Sequence, residues 1–431
     1  MVDAQPARMH ALTVDAAPDA WAVARALGDR PGLAFVLADG GRTTYVACDP
    51  SASARSFDPE PEHACRARPF GEIPRWIGLL PYEACRTRER RRAGEARTAP
   101  EVEDPLWYRY ECVVKISNQI QIIGAEARAV AELAERVRRG LAAPPRAPER
   151  PELRLHTRPE PGAAHAARIR RALELIRRGE IYQVNLARKF ELDVVGRALD
   201  VLGALGAGGL PPHALALEWA ELGVAMASPE LFLALEPGGR VRTRPIKGTR
   251  PRAADPAADA ALARELDADP KERAELAMVI DVERNDLGRL ARPGSVRLVE
   301  PPSVETHARV HHRAATVTAE LRPEVTREEL LLATLPSGSV TGAPKLRAME
   351  VIAELEPARR GLYTGAAGFM REDGGLELGM VIRTLTFRDG RGSYYAGGGI
   401  VADSDPEREV RETLWKAAAL VELTGGFDAW A

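Results

Sequence analysis

The sequence predicts an α+β fold with large, mostly antiparallel sheets. Strand-like runs and helical stretches are mixed in the first third. Further strands follow a proline-rich break, yet strands and helices do not alternate strictly enough for a doubly wound parallel sheet. There is no internal repeat and no heptad.

In chain order, residues 32–37, 43–47 and 76–80 read as short strands, and 112–123 as two strands around Ser117-Asn118. A helix is expected over 125–139, with Val130, Leu133 and Val137 on one stripe and Gly140 placed to end it. Residues 142–162 hold six prolines (Pro144, Pro145, Pro148, Pro151, Pro159 and Pro161) and read as a linker or surface crossover between an N-terminal region, 1–141, and a larger domain, 163–431. Residues 163–178 carry helical spacing through Ile169, Leu173 and Ile176 and stop at Gly179 before a strand-like run, 181–192. Strands follow at 214–219 and 223–227. A long helix over 269–290 opens with a capping Asp269 and Pro270. The last segment repeats that grammar: Ser404 or Asp405 caps, Pro406 begins, and Gly425-Gly426 terminates.

The 431 residues are 45% hydrophobic and 28% charged, the profile of an ordinary globular protein rather than a disordered, fibrous or membrane chain. Sixty basic residues against sixty-two acidic ones give a net charge of −2, so no global field draws the chain to nucleic acid or an anionic membrane. The longest apolar run, near residues 330–335, is too short to span a bilayer, and the N-terminus lacks a signal-peptide pattern. A cytoplasmic location is expected. Cys48, Cys65, Cys85 and Cys112 show no CxxC spacing and read as reduced structural thiols.

The densest chemical constellation is TRPIKGTRPR, residues 243–252, where Lys247 and Gly248 sit among Arg244, Arg250 and Arg252. Guanidinium groups crowding one ammonium favour a neutral, nucleophilic amine; the competing reading is a solvated basic loop. In SPELF, residues 228–232, Glu230 lies in an apolar run, where a carboxyl keeps its proton and suits general-acid work. Glu275 lies on the Asp269 helix, and Glu409 and Glu412, three apart, share one face of another helix with Lys416 one turn on. Surface ion pairing explains that face, whereas Mg²⁺ binding requires carboxylates from the two helices to converge. The glycine clusters PSGSVTGAPK (336–345) and YAGGGIVADS (395–404) fit turns or anion-binding backbone and match no phosphate fingerprint. There is no GxSxG, no HExxH and no Cys in a glycine-rich elbow such as a glutaminase needs.

The ordered motifs resemble the chorismate-utilising enzyme family. IYQVNLARKF, SPELF, TRPIKGTRPR, KERAELAMVIDVERNDLGRL, GSVTGAPKLRAMEVI, RRGLYTGAAGF, VIRTLTF and AGGGIVADSDPEREVRETLWKA span most of residues 165–420 in the family's order. The resemblance implies a sandwich of sheets with helices packed outside, and a chorismate-binding catalytic domain over 163–431. Lys247 marks the aminodeoxychorismate synthase branch, since anthranilate synthases typically carry Ala there. Carried onto this sequence, Lys247 attacks C2 of chorismate, Glu230 protonates the departing C4 hydroxyl, and ammonia adds at C4 to give 4-amino-4-deoxychorismate, a precursor of 4-aminobenzoate and folate. The resemblance places Mg²⁺ on Glu275 and Glu412, with Glu409 close by. Substrate contacts map to Gly248, Thr249, His312, Thr341, Tyr363, Arg383, Gly397, Gly398 and Gly399. Gln183 stands where water-using isochorismate and salicylate synthases carry a general-base Lys, which favours ammonia as nucleophile. A separate glutamine amidotransferase subunit, component II, is the implied ammonia source. Three positions depart from the family: Arg313-Ala314-Ala315, Ser337 where Gly is usual, and Ala38-Asp39 in place of the acidic-Ser pair of the N-terminal tryptophan pocket.

Overall fold

The strand Leu33–Ala38 is buried at every position. Phe35 and Leu37 pack on one face against Val23 and Val130 of overlying helices, while Ala34 and Val36 meet Ile77 and Phe369 across the other. Alternating side chains thus serve two apolar layers, because the sheet lies between helices and a second sheet. The computed structural model describes residues 9–61, 69–84, 102–144, 149–157, 159–220, 222–307 and 310–426.

Among the described residues there are two sheets, of twelve and ten strands, and their pairings are antiparallel. They form a sandwich with helices outside, the expected α+β class. Strands from both sides of the proline-rich stretch share both sheets. Leu33–Ala38 pairs with His213–Trp219 in the first, and Pro74–Leu80 with Ala366–Arg371 in the second. The Pro270–Gly288 and Arg327–Thr334 helices cover the outer face of the second sheet through Leu276, Ile280, Leu330 and Leu331.

Most elements fall where their local signals put them. The hairpin turns at 117–119, closing with Ile116 opposite Ile120. Asp269 caps Pro270–Gly288 by accepting from the Lys271 and Glu272 amides, and Gly179 takes a positive φ of 75° after the Gly162–Arg177 helix. Three details differ. The helix Ala127–Ala142 runs through Gly140, where a Cβ would lie 2.4 Å from the Ala26 Cβ, so this glycine admits a neighbouring helix rather than stopping its own. The proline-rich stretch contributes the strand Glu152–Leu155, paired with Leu192 to Val195, while Pro145 and Pro148 lie outside the described residues, as do Cys65 and Cys85. In the last segment Asp405, not Ser404, is the cap, and the helix breaks at Ala417 into Pro406–Lys416 and Ala418–Leu423. The Ser404 hydroxyl donates instead to Glu409.

Candidate active site

Ile246–Pro251 is the edge strand of the second sheet, paired with Val310–Glu320. Its register shifts at Gly248: Lys247 opposes Arg313, Thr249 opposes His312, and Gly248 bulges between them at φ 74°. A Cβ there would come within 2.6 Å of Leu266 and 3.1 Å of the Glu272 carboxylate, so only glycine fits. The guanidinium groups do not crowd Lys247. Arg244 turns onto Glu305, Arg250 onto Glu265 and Asp269 at 2.8 and 2.9 Å, and Arg252 onto Asp259 at 2.8 Å. Carboxylates on the adjoining elements take each of them up. Lys247 Nζ donates to the Ser339 carbonyl at 2.9 Å, and its charge acts on Glu230, Glu275 and Glu412.

Glu230 lies between Leu222–Ser228 and Leu231–Leu235, with 5% of its surface exposed. Burial pushes its carboxyl up to about 7, against the Ser339 hydroxyl, which donates to Oε1 at 2.7 Å, and the nearby charges of Lys247 and Arg383. A group that holds its proton near neutrality and can release it has the properties of a general acid.

The strand Arg391–Ile400 carries Gly397, Gly398 and Gly399 opposite Ala187, Leu186 and Asn185 of Gln183–Val195. Their missing side chains bring functional groups against the backbone. A Cβ on Gly398 would sit 3.2 Å from Glu409 Oε2 and 3.5 Å from Glu412 Oε1, and one on Gly399 2.5 Å from Gln183 Nε2 and 3.3 Å from Glu275 Oε2. Glu275 from the Pro270 helix and Glu409 and Glu412 from the Pro406 helix therefore converge on this strand. Two ammonium groups bind them: Lys271 Nζ lies 3.0 Å from Glu409 and 3.8 Å from Glu275, and Lys416 Nζ 2.7 Å from Glu412. Among the described residues no group of three or more His, Cys, Asp or Glu is arranged to hold an ion as it stands. The donor set nevertheless suits Mg²⁺, being carboxylate oxygen throughout, and Glu409 Oε2 is buried without a hydrogen-bond partner among the described residues. The same holds for the Gln183 amide and Asn185 Oδ1, so the glycine strand faces several unsatisfied polar atoms.

Tyr363 stacks on Tyr395 with ring centroids 5.0 Å apart, beneath the fully buried Arg360 guanidinium. Arg383 adopts φ 52°, and its charge acts on Glu230 and His312. Its guanidinium makes no hydrogen bond or ion pair among the described residues, so it is available to an anion. Burial beside Arg383 pushes His312 down to about 3; its Nδ1 contacts the Thr249 hydroxyl at 3.0 Å, and its buried Nε2 has no partner among the described residues. Thr341 is fully buried, its hydroxyl donating to the Ser337 carbonyl at 2.8 Å. The sequence-predicted residues thus gather around the Lys247 edge and the glycine strand, with Thr341 turned into its own loop.

The sequence model of the family described as chorismate binding enzyme matches residues 34–422. The chain belongs to that family. It is 44% identical over 273 residues to anthranilate synthase component 1 of Streptomyces coelicolor, covering 62% of this chain and 53% of the relative. It is 43% identical over 252 residues to aminodeoxychorismate synthase component 1 of Klebsiella aerogenes, covering 58% and 56%. These alignments span about half the length of the curated relatives. Anthranilate synthase component I of Streptococcus pneumoniae superposes with a TM-score of 0.71 at 27% identity, over 97% of this chain and 93% of that one. The menaquinone-specific isochorismate synthase MenF of Escherichia coli shares the fold, with a TM-score of 0.74 at 20% identity over 96% and 94%.

Within this chorismate-binding framework the sequence reading missed four groups. Glu272 lies one helical turn before Glu275, and its carboxyl is raised by burial and by Glu275 and Glu412; the i, i+3 spacing behind the Asp269 cap was its signal. Lys271 binds two of the proposed metal carboxylates. Asn185 alternates with Gln183 on one strand face. Ser339 was inside a quoted motif, and nothing local shows that both its carbonyl and its hydroxyl are used.

Proposed function

We propose that this chain aminates chorismate at C4 with ammonia, giving 4-amino-4-deoxychorismate through a covalent link between Lys247 and ring carbon C2. The observation that carries the reading is the common attachment of Lys247 and Glu230 to Ser339, which sets an amine beside a buried acid. Once the Lys247 ammonium has released a proton to solvent, its nitrogen forms the bond to C2, the ring double bond shifts, and the C4–O bond breaks as the leaving hydroxyl takes the Glu230 proton and departs as water. Ammonia then forms the C4–N bond, the double bond returns, the C2–Lys247 bond breaks, and the proton lost by the new ammonium restores Glu230. Arg383 is suited to pair with the enolpyruvyl carboxylate, and the glycine strand lets the ring approach the backbone. Glu275, Glu409 and Glu412 would hold Mg²⁺, which when bound supplies positive charge against the ring carboxylate. The Gln183 amide cannot take a proton from water, which supports ammonia as nucleophile.

The ammonia source in this reading is a separate glutamine amidotransferase, component II, consistent with relatives named as component 1. The proposed setting is the cytoplasm, without nucleic acid or membrane; among the described residues no helix is long and apolar enough to cross a bilayer. A second reading, amination at C2 to anthranilate, is favoured by the equal similarity to anthranilate synthases. Product identification separates the two. Chorismate, Mg²⁺ and ammonium incubated with the purified chain should give 4-aminobenzoate only when an aminodeoxychorismate lyase is added; fluorescent anthranilate without the lyase refutes the C4 assignment.

A further inference from the structure

Glu230 is one end of a line of four side chains. The Ser339 hydroxyl contacts Glu230 Oε1 at 2.7 Å, the Ser337 and Ser339 hydroxyl oxygens are 2.9 Å apart, and Ser337 Oγ contacts Glu283 Oε1 at 2.6 Å. All four residues are buried, Glu283 with 1% of its surface exposed. Three hydrogen-bond contacts in line need three protons, and two hydroxyls supply only two. The third must come from a carboxyl: if both acids were ionised, each serine would donate outward and the two hydroxyl oxygens would face each other with no hydrogen between them.

We propose that Glu230 and Glu283 share one proton through Ser337 and Ser339, and that Glu283 acts through this relay to load the acid before it donates. The inference rests on the reading of Glu230 as general acid. When the shared proton rests on Glu283, Ser339 passes its hydroxyl proton to the Glu230 carboxylate, takes one from Ser337, and Ser337 takes one from Glu283, so that Glu230 carries the proton it then gives to the leaving hydroxyl. Only hydrogens change partners, and the line ends with Glu230 protonated and Glu283 ionised. The proton released when ammonia forms its bond to carbon runs back along the same line. Glu283 touches neither substrate nor Lys247 and is a positioning residue for the proton. The charged groups facing the pair suit this role. Lys247 and Arg383 face Glu230; Asp286 and Lys345 face Glu283, whose carboxyl burial and Asp286 push up to about 7, level with Glu230. Two acids of matched affinity exchange a proton at little cost.

The test pairs the pH profile of kcat for chorismate consumption with infrared difference titration of the protonated-carboxyl band, which needs no turnover. Glu283→Gln removes the negative partner that disfavours ionisation of Glu230, and Ser337→Ala leaves Ser339 free to donate wholly to the Glu230 carboxylate. Each should move the alkaline limb and the infrared midpoint to lower pH by about half a unit or more, and Ser337→Thr, which keeps the hydroxyl, should restore both. A lower rate at every pH with limb and midpoint unmoved overturns the relay and leaves Glu283 and Ser337 as packing groups. A chain whose infrared midpoints shift as expected but which consumes no chorismate refutes the amination reading while supporting the shared proton.

Discussion

Lys247 and Glu230 are bound to opposite ends of one residue. The Ser339 carbonyl accepts from the Lys247 ammonium at 2.9 Å, and the Ser339 hydroxyl donates to the Glu230 carboxyl at 2.7 Å. Ser339 itself sits in the short helical turn Gly338–Thr341, capped by Ser337. The separation of amine and acid is therefore set by a single buried side chain and its own carbonyl.

Ser339→Ala keeps the carbonyl for Lys247 and removes the donor to Glu230. Because that donor stabilises the ionised acid, the alkaline limb of the pH profile should move to higher pH, opposite in direction to the Ser337→Ala shift. A pH–rate series on the two variants checks the sign.

Lys247→Ala should reduce 4-amino-4-deoxychorismate formation by at least about 100-fold, since the covalent route loses its nucleophile. Chromatography with mass detection reads the residual products. Slow direct amination at C2 would appear as a trace of anthranilate, and undiminished 4-amino-4-deoxychorismate would remove Lys247 from the mechanism.

Glu230→Gln should lower kcat by about 10²–10⁴-fold. Its effect on stability has the opposite sign. The folded carboxyl is raised to about 7 from a usual value of 4.5, so the folded chain holds a proton that the unfolded chain releases. Stability from this group is complete below about 4.5 and is lost as pH rises through about 7, where burying the ionised form costs up to about 3 kcal/mol. The uncharged glutamine variant should therefore melt higher than the parent at about pH 8 and equally at about pH 4. Equal melting at both pH values would contradict the buried acid.

Glu275→Gln should weaken Mg²⁺ binding, read by calorimetric titration with the metal alone, and activity should fall in parallel. An unaffected isotherm would refute the metal assignment. Ordered binding also has to displace Lys271 from Glu409 and Glu275, so Lys271→Met should tighten the metal if that ammonium competes for the same oxygens.

Glu356 is the acceptor for the Ala187 amide at 2.9 Å and for Arg360 through both its oxygens, at 2.7 and 2.9 Å. Glu356→Ala leaves the Arg360 guanidinium buried without its counter-ion, which should cost about 3–5 kcal/mol in denaturant unfolding. Tyr363, under the Arg360 guanidinium, should lose its position as well, raising KM for chorismate.

Local signals in the sequence were enough wherever the physics is local. The Asp269-Pro270 and Asp405-Pro406 pairs mark helix starts because a side-chain oxygen and a residue without an N–H solve the same end problem. The glycine strand and the two glutamate helices were visible as types, and their convergence was not, since it depends on the pairing of Gln183–Val195 with Arg391–Ile400. Gly140 was misread because the reason for its small size lies at Ala26, on another helix. The arginines around Lys247 misled for the same reason: adjacency along the chain carries no information about which carboxylates, such as Glu265 and Asp259, stand beside each guanidinium.

The interleaving of early and late strands bears on how this chain can be made. During synthesis Leu33–Ala38 leaves the ribosome long before His213–Trp219, and Pro74–Leu80 waits for Ala366–Arg371. Until then each early strand presents an unpaired apolar edge, the kind of surface that chaperones cover and that otherwise seeds aggregation. A fragment cut at the proline-rich stretch would keep those open edges permanently, so recombinant production of either piece alone should yield insoluble material where the full chain does not.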